Sequence, residues 1–539
     1  MPLDDLVLGL QRLLDRLVRR AQLGPAPAPG RRRLLIVQID GLSRAVFDEA
    51  RARGSAPFLA RLVGQRGWRL APLAVGLPSS TPAFQMAAMY GVRPDIPGFH
   101  YHDKRRRDDV YFPRGGDAAW VEATQAAGRP GVLRHGGAYG CVFTGGATDN
   151  LLTFTMMKRP TGGGALRALS RVVVLAWVAL KSSALSAIEL ARAVLRLLAD
   201  PVGETERGWR WLAIKIGISV WLRELFTMVV ARDLYAGVPA VWVNYLDYDV
   251  FAHAYGPRHR RAHRALRRID RSIHQLWRVL RRVPEHRYDL YVLSDHGQAA
   301  CTPYRRLSGG RPIEEALFDF FEPPRARAAP AGRARRLARG IAAFHTRRAP
   351  GLFQRFVNYL EQDFALVLGG LRSVREHDGI RVVAAGPNAF VYFLERPEPL
   401  GAEWIDARFP GAVDEISRSP GVGFVLVRAA AGPLCVWRGT RYRLDDLQAG
   451  PFAGRPDLGV VADGLRDLMA MPSAGDLVVY GIGAPEGHVS YVPEVGTHAG
   501  TSYDELHTFL IHPRDADVPP AVAHPIELYP VFLRYQGAA

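Results

Sequence analysis

The chain has 539 residues, 48% of them apolar, and carries 70 basic and 52 acidic residues for a formal charge of +18. That length and composition exclude a disordered chain and provide for a large core, in several domains or in one with big insertions. Three scattered cysteines, Cys141, Cys301 and Cys435, match neither a disulfide framework nor a thiolate metal site, which fits a reducing compartment. The positive field favours anionic partners, either a phosphorylated small molecule or lipid or an anionic membrane surface. An arginine-rich background composition is the plain alternative. No zinc-finger spacing or basic-aromatic RNA signature accompanies the charge, so nucleic acid is not an expected partner.

Residues 1–21, MPLDDLVLGLQRLLDRLVRRA, lack the clean apolar core of a signal peptide. Leu3, Leu6, Val7, Leu10, Leu14, Leu17 and Val18 share one helical face, which would lie on a membrane or pack on the protein's own body. With no signal peptide or membrane-spanning run, the expected location is cytoplasmic, peripheral on the inner membrane face if that contact forms. A Pro/Gly-rich and then basic linker, Pro25–Arg33, leads into Leu34–Asp40 (LLIVQID) and Gly41. The unbroken apolar run predicts a strand buried on both faces, with Asp40 at its carboxyl edge, where open α/β sheets place their chemistry.

Further along, Ala56–Val63 reads as a helix and Trp68–Val75 as a strand. In Ser79-Ser80-Thr81-Pro82 the proline suits the first helical position, making Thr81 the N-cap of a helix that runs to Tyr90 and stops at Gly91. Residues 95–110 read as a polar, basic loop, and Val132–Leu133 and Gly140–Phe143 as short strands. A helical excursion covers about 164–235, with no uncharged run long enough to cross a bilayer. Strands are expected at Ala240–Leu246, Leu290–Ser294, Val382–Ala385, Ala389–Phe393, Gly423–Val427, Leu477–Tyr480 and Thr508–His512. Helices are expected at 257–281, 413–418 and 460–469, and a basic surface connection at 324–339. The organisation predicted is an N-terminal helix and linker (1–30), a first part of the core (31–149), a helical insertion or cap (150–235), and a second part (236–539) with a subdomain at about 310–450.

Four places put metal-ligand chemistry at element ends: Asp40; Asp295-His296-Gly297 after YDLYVLS; Asp249 and His253 in LDYDVFAHAYGP; and His498 in GTHAG. The i,i+4 spacing sets Asp249 and His253 on one face if a helix begins there. Three carboxylates and three imidazoles form a donor set that Zn²⁺ accepts, with Mn²⁺ as the alternative. Two such ions could clamp both oxygens of an in-line phosphoryl displacement. Thr81 is the candidate nucleophile, its hydroxyl activated by metal and its helix N-terminus facing a phosphoryl oxygen. Asp247 and Asp270 are read as structural.

These motifs resemble the type I phosphodiesterase/nucleotide pyrophosphatase branch of the alkaline phosphatase superfamily: Asp40 in IDG, Thr81 in SSTP, Asp249 and His253 in DVFAHAYGP, Asp295 and His296 in SDHG, and His498 in GTHAG. The loop DIPGFHYHDK and the segment GGAYGCVFTGGA look closer to a bacterial group of alkaline-phosphatase-like proteins, some of them membrane-linked. The resemblance implies an α/β fold with a mostly parallel central sheet sandwiched by helices and carrying an inserted helical segment. It implies two divalent ions, one held by Asp40, Thr81, Asp295 and His296, the other by Asp249, His253 and His498, and a phosphothreonine intermediate on Thr81. The implied activity is hydrolysis of a phosphodiester. A lipid headgroup hydrolase or transferase at an anionic membrane, and a non-catalytic membrane-associated protein on the same scaffold, are the alternatives. Where the family carries a phosphate-binding asparagine soon after the nucleophile, this chain has Phe84. Gln85, His102, Lys104 or Arg105 is expected to take its place. Ala252 stands where glycine is common before the histidine, and no Cys/Ser-x-Pro-x-Arg sulfatase signature is present.

Overall fold

The computed structural model describes residues 31–65, 67–151, 165–199, 216–321 and 374–537, with positions 4, 7, 9 and 212 besides. Most of the expected N-terminal face, the tryptophans at 209 and 211, and the basic stretch 324–339 lie outside the described residues.

The chain opens with β1 (Arg33–Ile39), α1 (Arg44–Ala52), α2 (Pro57–Gln65), β2 (Trp68–Ala74) and α3 (Thr81–Tyr90). A hairpin of β3 (His100–Asp103) and β4 (Asp108–Tyr111) follows, then α4 (Gly115–Gln125), β5 (Gly137–Tyr139) and β6 (Asp149–Leu151). The helical insertion comprises α5 (Ala165–Ala199), a π-helical segment (Gly217–Leu222) and α6 (Arg223–Ala236). Next come β7 (Ala240–Tyr245), α7 (Asp247–Tyr255), α8 (Arg260–Leu280) and β8 (Tyr288–Leu293). A second sheet draws on β9 (Val374–His377), β10 (Ile380–Ala385), β11 (Asn388–Phe393), β12 (Phe424–Val427), β13 (Leu434–Trp437), β14 (Thr440–Arg443) and, after α9 (Leu458–Ala470), β15 (Leu477–Tyr480). β16 (His507–Pro513) returns to the first sheet.

The central sheet has the order β2-β16-β8-β1-β7-β5-β6. β8, β1, β7, β5 and β6 run parallel, and β16 is antiparallel to both β2 and β8. Alternate residues of β1 enter two different cores, Leu35, Val37 and Ile39 on the side of α1, α2, α6 and α8, and Leu34 and Ile36 on the side of α3. This two-sided burial is why the strand shows no polar alternation. The second sheet, β9-β10-β11-β15-β12-β13-β14, is antiparallel. It packs Phe390, Tyr392 and Phe424 against Leu77 and α9, which brings it over the mouth of the central sheet.

Three local expectations are corrected. Ser80, not Thr81, occupies the N-cap, and Thr81 is the first helical residue. Residues 95–110 are not a plain loop, because His100 to Asp103 pairs with Asp108 to Tyr111, burying Tyr101 and Val110 in the core. The edge strands lie at 137–139 and 149–151 and not at 132–133 and 140–143, since Gly137–Tyr139 is the stretch in register with β7. Val132, Leu133 and Phe143 are buried, but as core side chains between strands. Asp270 accepts hydrogen bonds from the amides of Phe58 (3.0 Å) and Leu59 (2.9 Å) and so caps α2, and Asp247 pairs with Arg223 at 3.3 Å, both structural as expected. Among the described residues no helix is long and apolar enough to cross a membrane.

Candidate active site

β1, β7 and β8 are adjacent and parallel, so Asp40, the start of α7 and Asp295 emerge together at one edge of the sheet. Gly41 makes the turn after β1 at φ 74°, and a Cβ there would stand 2.5 Å from Oδ1 of Asp249. Glycine therefore serves twice, for its left-handed backbone and for the space that Asp249 fills. Thr81 reaches the same point from the first turn of α3. Its hydroxyl lies 3.3 Å from Oδ1 of Asp40 and 3.3 Å from Nε2 of His296. The late histidine arrives because Ser79 ties residues 498–500 to the start of α3. Ala499 N–H donates to the Ser79 carbonyl at 3.1 Å, and the Ser79 hydroxyl donates to the Gly500 carbonyl at 3.1 Å.

All three histidines are oriented alike. Nδ1 of His296 donates to the Gly297 carbonyl (3.1 Å), Nδ1 of His498 to the Ser79 carbonyl (3.0 Å), and Nδ1 of His253 to the Gly496 carbonyl (2.8 Å), with Glu494 also 2.8 Å away. A carbonyl can only accept, so each Nδ1 carries a proton and Nε2 is the nitrogen left to bind a metal once any proton on it has gone. Nε2 of His253 lies 3.4 Å from Asp249, and Nε2 of His296 lies 3.3 Å from Asp40 and 3.6 Å from Asp295. The His296 and His498 rings stack at 3.8 Å. Metal-ligating histidines are held in this way by their second nitrogen.

Two groups could each hold a metal ion: Asp40, Asp295 and His296; and Asp249, His296 and His498. Within each group the donor atoms lie within 4.8 Å of one another. Both oxygens of the fully buried Asp295 lack a hydrogen-bond partner, a costly state for a carboxylate that a cation would relieve. Protonation reflects the same excess of negative charge. Burial, and then Asp40 beside it, pushes Asp295 up to about 7. Burial and Asp249 raise Asp40. Burial opposes the charging of His296, yet Asp295 and Asp40 carry it up to about 9. His498 is driven well below its ordinary value by burial and by His296. Protons are standing where the donor set fits divalent cations.

A cavity of about 120 Å³ opens on Asp40, Thr81, Asn244, Asp249, His253 and His498, with walls that include Phe99, Leu246, Val250, Ala384 and Val492. The four residues expected to bind substrate do not line it. Gln85 donates to Gln38 (2.9 Å) and accepts from the Val142 amide (2.7 Å) in the core. His102 bonds Asp109 at 2.9 Å, and Lys104 is buried against Asp476 (3.1 Å) and the Glu398 carbonyl (2.8 Å). Arg105 is exposed. In their stead stand Asn244, which donates to Oδ2 of Asp40 at 2.7 Å, and Glu494, which buttresses His253. Asn244 carried a signal, being the lone polar residue in the strand AVWVNYL. Glu494 carried none, because only the folded loop brings it to His253.

A mostly parallel α/β sheet with a carboxylate–imidazole cluster at its carboxyl edge defines a metal-binding hydrolase of alkaline-phosphatase-like architecture. The family described as type I phosphodiesterase/nucleotide pyrophosphatase matches residues 34–342, more than half of the chain, and the protein belongs to that family. It is a metal-dependent phosphoester hydrolase of this group. Among solved structures, phosphonoacetate hydrolase from Sinorhizobium meliloti 1021 in complex with phosphonoacetate is similar at 13% identity, covering 94% of this chain and 97% of that one, with a TM-score of 0.46. Murine ectonucleotide pyrophosphatase/phosphodiesterase 5 is similar at 10% identity, covering 94% and 96%, with a TM-score of 0.46. A comparison with curated proteins gave no match.

Proposed function

We propose that the protein hydrolyses a phosphodiester in two displacements, with Thr81 as nucleophile. The observation that carries this is the Thr81 hydroxyl at the N-terminus of α3, 3.3 Å from both Asp40 and His296 on the cavity floor. Asp40, Asp295 and His296, with the Thr81 hydroxyl, would hold one divalent ion, and Asp249, His253 and His498 the other. Zn²⁺ suits these donors best and Mn²⁺ is the alternative. When bound, such ions lower the pKa of a coordinated hydroxyl and offset phosphoryl charge.

The chain's own groups set the rest of the geometry. Asn244 fixes Asp40 by its 2.7 Å hydrogen bond, and Glu494 fixes His253. The free N–H groups of the first turn of α3 face an incoming phosphoryl oxygen. Attack by the Thr81 oxygen expels the first ester oxygen and leaves a phosphothreonine, which water then cleaves to regenerate the hydroxyl. A diester is favoured over a monoester because the cavity lining, among the described residues, contains no lysine or arginine. The second charge of a monoester would meet Asp40, Asp249 and Glu494 with no lysine or arginine to offset it.

Acid quenching during turnover of an aryl phosphodiester, followed by peptide mass spectrometry, should find phosphate on Thr81. Thr81→Ala should lose at least about a thousandfold in rate. A labelled residue elsewhere, or an unimpaired Thr81→Ala, would refute the reading.

A further inference from the structure

The helix α5 is built inside out. Between 176 and 195, Lys181, Ser182 and Glu189 turn toward the protein, beside Val178, while Ser183 and Arg192 stay exposed. Lys181 pairs with Asp4 (2.9 Å) and Glu224 (2.6 Å), the Trp177 indole donates to Asp4 (2.8 Å), and Glu189 pairs with Arg268 at 2.5 Å. Ser182 is buried. The outward face is the apolar one, and of the residues exposed in that stretch only Arg192 is charged. Leu180 is 65% exposed and Leu195 66%, with Ile188, Leu190, Val194 and the nearby Trp221 also open. Among the described residues, these six belong to a set of eight exposed large apolar side chains, so the exposure is concentrated on the insertion. A contiguous apolar patch of this kind marks a surface that meets something.

What it meets is indicated by α8, joined to α5 through the Arg268–Glu189 pair. Arg260, Arg264, Arg267 and Arg271 fall at i, i+4, i+7 and i+11 on one exposed face of α8. Asp270 is the helix's sole acid, and it is turned inward to cap α2. A row of arginines beside an apolar helix face matches an anionic bilayer, apolar side chains entering the acyl boundary and guanidinium groups meeting phosphate. Two copies of the chain joined by α5 about a two-fold axis would bring equivalent arginine rows to the same interface, which repels. We infer that α5 and α8 form a peripheral docking surface for anionic phospholipid membranes, with α5 lying in the interface plane. The inference does not depend on the chemistry at Thr81.

The full-length protein should float with mixed phosphatidylglycerol/phosphatidylcholine vesicles and remain behind with pure phosphatidylcholine. Leu180→Glu combined with Leu195→Glu should weaken binding about tenfold or more. Arg264→Ala, Arg267→Ala and Arg271→Ala together should do the same and flatten the salt dependence. Melting temperature and hydrolysis of a soluble aryl diester should stay at wild-type levels in both variants, which separates a docking defect from a folding or catalytic one. No flotation of the wild type, or equal flotation of the variants, would overturn the inference. So would a wild-type dimer that the two glutamates convert to a monomer, because that result assigns the face to a second copy.

Discussion

Two buried charge clusters of the molecule behave differently. In the β3–β4 hairpin the buried charges of Lys104 and Asp109 each have a counter-charge. Lys104 meets Asp476 at 3.1 Å, and Asp109 is shared by His102 (2.9 Å) and Arg381 (3.0 Å). Burial works against the charge on Asp109, yet His102 and Arg381 hold it well below the usual carboxylate range. At the sheet edge, Asp40, Asp249 and Asp295 face one another with no lysine or arginine paired to them; burial works against the charge on Asp249 and His253 holds it low, but Asp295 and Asp40 are pushed up. A neutralised cluster holds the fold together, whereas one left with surplus negative charge is shaped for a cation. The contrast explains why His102 and Lys104 do not serve the cavity: the His102 ring is bonded to Asp109, and the Lys104 charge is held by Asp476.

The comparison can be broken at either end. Asp295→Asn should cost the largest effect, at least about a thousandfold in diester hydrolysis, measured as kcat/KM at saturating metal, with the protein still folded. Lys104→Met should leave the hydrolysis rate of folded protein unchanged. It strands the fully buried Asp476 carboxylate, so denaturant unfolding should show a loss of about 3 kcal/mol. Loading of the metal site should release protons, since the Asp295 proton (about 7) and the His296 proton (about 9) must leave first. Affinity measured by calorimetry in buffers of different ionisation enthalpy should therefore rise about tenfold per pH unit between about 7 and 9, and more steeply with pH below 7. Arg105→Ala should do least, changing stability by under about 0.5 kcal/mol and activity not at all.

How much was readable in the chain itself follows the same division. Asp40, Asp249, Asp295 and His296 are legible because parallel strands deliver them to one edge, and His498 because it stands between two glycines in GTHAG. β1, β7 and β8 were legible as apolar runs for the same topological reason. The hairpin was not, because HYHDKRRRDD looks like solvated loop until Asp109 is seen to pair with His102 and Arg381, the latter 272 residues away from Asp109. Gln85 had the right chemistry for a phosphate ligand, but its bonds to Gln38 and Val142 come from strand packing that no local pattern encodes. β13 and β14 form a half-buried edge hairpin, with too few inward residues for a clear alternation.

The central claim, that the surplus carboxylate cluster gathers divalent cations beside the Thr81 hydroxyl, is tested most directly by anomalous diffraction from crystals of the full-length protein grown with zinc. The account predicts two peaks, one among Asp40, Asp295 and His296 and the other against Asp249 and His498, both within reach of Thr81. A protein that hydrolyses diesters while its crystals show no metal at these side chains would contradict it.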